Sequence, residues 1–127
     1  FKQHNSMIKI INPNYTLENV LFNSIMEIAV YISAPRFEVR CKGNILSEVF
    51  DGDKSIDKTF KIEPAKEGLD PLDFDCLLIN ESNEIADYEV NIVFKQGNET
   101  CGVIKKSGKL KQLQKVHLQH IVRLPSF

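Results

Sequence analysis

The sequence predicts an all-β fold, an antiparallel immunoglobulin-like β-sandwich of about seven strands. Three observations predict it. Apolar residues recur with a period of two through the middle of the chain, the alternating runs are short, and Gly, Pro, Asn and Asp punctuate them at regular intervals. No stretch between residues 24 and 104 carries a convincing 3.6-residue period.

The elements follow in order. Residues 7–11 read as an N-terminal strand. In residues 24–33, Met26, Ile28, Val30 and Ile32 face one way, and Ile25, Glu27, Ala29 and Tyr31 the other. Ala34-Pro35-Arg36 is expected to end that strand, because proline cannot donate to a ladder. Phe37, Val39 and Cys41 then alternate with Glu38 and Arg40, and Lys42-Gly43-Asn44 turns the chain. Residues 45–50 form a third, weaker strand, closed by the turn signal Asp51-Gly52-Asp53. Alternation resumes at residues 59–63, with Phe60 and Ile62 inward. A loop with two prolines and Gly68 follows. Phe74, Cys76 and Leu78 line a strand opposed by Asp75, Leu77 and Ile79. Tyr88, Val90, Ile92 and Phe94 make the best strand of the chain, with residues 100–104 as its hairpin partner across Gln96-Gly97-Asn98.

The C-terminal end reads two ways. Leu110, Leu113, His117, His120, Ile121 and Leu124 fall at helical spacing, and Val116, Leu118, His120 and Val122 at strand spacing. A helix here would set Lys109 and Lys111 against the positive end of its dipole. A strand or extended linker is therefore favoured for 116–123. The 127 residues are read as one domain with a core over about 24–104 and a basic segment at 105–127.

Charge is divided. Residues 100–127 hold six basic residues and no acidic one, so all seventeen acids lie before them. An acidic body with a basic tail results. No apolar run approaches the roughly 20 residues of a membrane-spanning helix, and no signal peptide is visible. A chain opening on Phe1 is read as a fragment or processed product of a larger protein.

The phrase from Ile32 to Val39, then Phe60-Lys61-Ile62-Glu63-Pro64, the loop glycine Gly68, the strand 74–79 and the closing strand 88–94 resembles a known pattern. It is similar to the immunoglobulin-like β-sandwich accessory domains of bacterial multidomain signalling and defence proteins. It also resembles, less well, the major-sperm-protein type of sandwich. The resemblance covers residues 24–104. It implies a scaffold or interaction role, with no catalytic residue to carry over.

Each candidate site meets a plainer explanation. His117 and His120 form an H-x-x-H pair that would need His4 or a cysteine to complete a zinc site; no third ligand stands close in sequence. Asp51 and Asp53, and Asp70, Asp73 and Asp75, lack the bidentate glutamate and fixed length of a calcium loop, and read as solvated turns. No metal and no cofactor is therefore expected. Sequons stand at Asn14, Asn80 and Asn98, a mild excess that argues for secretion, but Asn and Ser crowd turns in any case and chance is the plainer explanation. Cys41, Cys76 and Cys101 are an odd count without CxxC spacing, which favours reduced thiols and a cytoplasmic location. The rival is a single Cys41–Cys101 bridge, although the chain has no Trp to pack on it. No G-x-S-x-G, P-loop or dinucleotide fingerprint occurs, so no enzyme is expected.

The function expected is a non-catalytic protein-interaction or scaffolding domain of a larger intracellular protein. Its partner is another protein or a neighbouring domain, with no small-molecule substrate evident. Leu77 and Ile79, opposite the core face of their strand, and Lys105, Lys106, Lys109 and Lys111 are the candidate contacts. Burial of that strand on both sides would equally account for Leu77 and Ile79. The alternatives are a glycosylated extracellular binding module and nucleic-acid contact through the basic segment. The latter lacks an aromatic residue to stack bases.

Overall fold

A computed structural model describes residues 6–11, 15–43, 45–64 and 71–124. The described residues form eight strands: β1 (Ser6–Ile11), β2 (Tyr15–Thr16), β3 (Met26–Lys42), β4 (Ser47–Ile62), β5 (Leu72–Ile79), β6 (Ala86–Gln96), β7 (Glu99–Leu110) and β8 (Gln114–Arg123). No described residue is helical. The all-β expectation is met, but the pairing is mixed. β1 and β2 both join β8 in parallel, and the remaining ladders are antiparallel.

One sheet runs β1-β8-β5-β3-β6-β7, with β4 on the other edge of β3. The sheet forks at β3. Residues 27–33 pair with β6, residues 36–42 pair with β5, and β4 follows both halves. Ala34 and Pro35 lie between the two ladders. Proline has no N–H, so it costs no ladder bond at this position. Pro35 is also the extra residue of a bulge, since Ala34 pairs with Lys54 and Arg36 with Asp53.

The bulge folds the hairpin. Phe94 pairs with Ile28, and Phe74 with Cys41. A straight strand would hold Ile28 and Cys41 roughly 44 Å apart. The two rings nevertheless meet edge to face, 5.9 Å between centroids. The first arm (β6, β7 and the early half of β3) therefore packs over the second (β5, β8, β1 and the late half of β3). A single core fills the space between them, built on Phe37, Phe74, Phe94, Met26, Ile28, Ile32, Leu72, Leu78, Ile92, Leu110 and Leu118. β7 approaches β8 at the far side without pairing with it, so the arms nearly close into a barrel.

Four expectations are corrected. Residues 34–36 bend β3 and do not end it. Asp51-Gly52-Asp53 lies inside β4, and the strands expected at 45–50 and 59–63 are one. Gly52 stands there because a Cβ would come within 3.0 Å of the Phe37 ring. The core continues past residue 104 through Leu110, Val116, Leu118 and Val122, because β8 sits between β1 and β5. The basic segment is thus strand, first as the end of β7 and then as β8.

The ends of the arms are tied by polar groups. Residues 17–25 lead from the end of β8 past β7 to β3, with Leu17 N–H donating to Arg123 O and Glu18 N–H to Cys101 O, both at 2.9 Å. Buried Gln96 holds the crossing. Its Oε1 accepts from Leu21 N–H at 2.8 Å, and its Nε2 donates to Leu21 O at 2.7 Å and Ser24 O at 3.2 Å. Such partners are what a buried amide requires.

Candidate functional site

The outer face of the second arm carries the candidate site. Glu38, Leu77 and His117 share one cross-strand row over β3, β5 and β8, and Arg40, Asp75 and Gln119 share the next. Period two turns all six away from the core. Five of them, Glu38, Arg40, Asp75, Leu77 and His117, line an open depression of about 260 Å³. Leu77 is its apolar member.

Diagonal bonds fix this face. His117 Nε2 lies 3.0 Å from Asp75 Oδ1, with both side chains about three-quarters buried. Gln119 Nε2 donates to both Asp73 carboxylate oxygens, at 3.1 and 3.3 Å. Burial and then the neighbouring Asp75 charge push the Asp73 carboxyl above its ordinary value, with the Gln119 bond opposing them. The lining offers charge and hydrogen-bonding groups around one leucine, and among its described residues there is no hydroxyl or thiol.

The expected contacts are dispersed. Leu77 is half-buried in this depression. Ile79 is only 3% exposed and lies outside the core cluster, so it offers no open surface. Lys105, Lys106 and Lys109 lie on β7, in the other arm. Lys105 is exposed opposite Asn91, Lys106 shares the inward row of buried Val90, and Lys109 pairs with Asp87 at 2.7 Å. Lys111 is exposed in the turn before β8, its N–H donating to Gln114 Oε1. The four lysines thus form no single outward strip.

Other candidates resolve similarly. His117 and His120 stand three apart on a strand and so face opposite sides. His120 is buried, and burial, then the Lys106 charge, lowers its pKa. No group of three or more metal-ligating side chains occurs among the described residues. Asp51 and Asp53 are exposed on β4. Asn80 is 1% exposed, and its Nδ2 donates to Glu84 O, Leu110 O and Lys111 O. That nitrogen has no room for a glycan in the folded domain. Asn98 is exposed in the β6–β7 turn. His4, Asn14, Gly68 and Asp70 lie outside the described residues. All three cysteines are free and buried, so the Cys41–Cys101 bridge is not formed. Among the described residues no helix is long and apolar enough to cross a membrane.

Nothing in the sequence singles out Glu38 and Arg40, and it offers Asp75 and His117 only as candidate metal ligands. What joins them is strand register, which the sequence does not display. Compared with known protein families, curated proteins and solved structures, the chain matches none.

Proposed function

We propose that this is a non-catalytic protein-interaction or scaffolding domain of a larger intracellular protein, an immunoglobulin-like accessory module that docks its partner on the outer face of the second arm. One observation carries the reading: Leu77 sits in a ring of Glu38, Arg40, Asp75 and His117, in which His117 Nε2 is held 3.0 Å from Asp75 Oδ1 across the strands. An apolar centre within a charged rim is the pattern of a protein contact. The depression, about 260 Å³ and open, falls short of the roughly 300–1,000 Å³ that encloses a small ligand. The three buried thiols support a reducing compartment. Two arms over one core support the sandwich reading.

The β7 edge is the poorer surface. It carries outward Lys105 and Lys109 and inward Lys106, and such lysines discourage strand addition. Residues 15–18 also cover it near Cys101 and Val103, where Tyr15 Oη accepts from Val103 N–H at 3.3 Å.

A photo-crosslinking residue placed at Leu77, and a control at Ser107 on the other arm, test the proposal in the parent protein. A discrete protein adduct from position 77 alone, suppressed by excess domain but not by excess Leu77→Asp domain, is expected. Equal adducts from both positions, or none from 77, would overturn it.

A further inference from the structure

The outer edge of β4 is free among the described residues. Its 16 residues pair only with β3, and most of its side chains are exposed. An open edge of this length is a template for another strand. Yet β4 is guarded. Lys58 lies opposite buried Val30, on the core-facing side, with its ammonium 5.5 Å from the Phe50 ring centroid. An incoming strand must give that charge a partner.

We propose that β4 pairs antiparallel with β4 of a second copy, about a two-fold axis through Thr59. A two-fold that pairs strands antiparallel stands perpendicular to the sheet, so inward residues meet inward ones and outward meet outward. Only alternate registers are then available. Centred on Thr59, the outward row sets Asp57 against Lys61 of the second copy twice, with Thr59 against Thr59 between them. The inward row sets Ile56 against Ile62 and Lys58 against Phe60. Opposite charges and Thr–Thr pairs each favour a ladder. Lys58 keeps an aromatic face beside it, since Phe60 already lies 6.0 Å from Phe50.

The neighbouring registers all oppose like charges. Centring on Lys58 sets Lys58 against itself. Centring on Asp57 sets the two Asp57 carboxylates together. Centring on Phe60 sets Asp57 against Glu63. The charges of β4 thus reject arbitrary strands and admit this one. The contact lies on the first arm and does not involve the face at Leu77, so either proposal can fail alone.

Sedimentation equilibrium of the full chain at up to about 1 mM, the weak end of specific association, reads the outcome. A monomer–dimer equilibrium is expected. Asp57→Lys and Lys61→Asp each weaken it tenfold or more, and mixing the two variants restores a heterodimer, because every opposed pair is then of opposite sign. Thr59→Cys closes an intermolecular disulfide under mild oxidation, as directly opposed Cβ atoms lie within reach, and Ser55→Cys, opposite Glu63, does not. Wild type that stays monomeric, a dimer indifferent to either charge reversal, or a mixture that fails to associate would each overturn the proposal.

Discussion

Phe50 and Phe60 stand ten residues apart on the single strand β4, and their ring centroids are 6.0 Å apart. An extended strand would separate them by roughly 33 Å. The contact exists because β4 folds back with β3 at the Pro35 bulge, where Lys54 takes a φ of 63°. The pair bridges the two halves of β4. Phe50→Ala is expected to cost about 3 kcal/mol and the partly buried Phe60→Ala about 1–2 kcal/mol. The double variant should fall short of the sum by about 1 kcal/mol, the coupling of an aromatic pair. Urea denaturation of the four chains measures this, and strict additivity would show that the rings do not support each other.

Asn80 joins three segments after β5. Its Nδ2 reaches three carbonyls, and its Oδ1 accepts from Ser82 N–H at 3.1 Å and Ser82 Oγ at 2.8 Å. Asn80→Ala leaves these groups without their partner in a buried place, at about 2–3 kcal/mol. Asn80→Asp should cost more, because it sets a carboxylate oxygen against three carbonyl oxygens. Thermal unfolding of both variants ranks them, and an Asp variant as stable as wild type would contradict the assignment.

Much of the core was legible. Met26, Ile28, Val30 and Ile32 are buried as their alternation requires, as are Phe74, Cys76, Leu78, Tyr88, Val90, Ile92 and Phe94. The bend was not. Inward residues fall on even numbers through Ala34 and on odd numbers from Phe37, and such a change of parity describes a broken strand and a bulged one equally. Gly52 misled for a related reason: local chemistry marks it as a turn, whereas its use is to clear space for the Phe37 ring. The site was less legible still. Glu38, Leu77 and His117 become neighbours only through pairings between distant strands, and nothing local announces that β8 enters between β1 and β5.

The thiols should be silent in the native state. Burial, with Glu48, Asp73 and Asp75 adding to it, pushes Cys41 up to about 12. Cys76 is raised by burial as well, and so is Cys101, whose Sγ lies 3.8 Å from Gln96 Oε1. The thiolate is the nucleophile, so at pH 8 Cys41 stays almost wholly protonated, and it is enclosed. Native protein should show no fast-reacting thiol with a disulfide reagent, and three in denaturant. Labelling rates should follow global unfolding. A native thiol that reacts within seconds would reveal local opening at that strand.

His120 and Lys106 make the fold sensitive to mild acid. Burial, then the Lys106 charge, lowers the pKa of His120, so the folded state favours the neutral ring. The unfolded chain, with a His pKa of about 6.5, takes up the proton more readily. The stability contributed is present above pH about 6.5 and is lost as pH falls through the lower folded value. Asp73, whose pKa is raised, acts with the opposite sign and only in the carboxylate range. The urea midpoint should therefore drop between pH 7.5 and 5.5, and His120→Gln should flatten that drop. Lys106→Met removes an inward charge from the β7 edge. It should raise the His120 pKa measured by NMR and shrink the pH dependence, while aggregation on heating quickens because the edge has lost its guard. An unchanged His120 titration in Lys106→Met would separate the two residues. The acid sensitivity would then rest on burial alone.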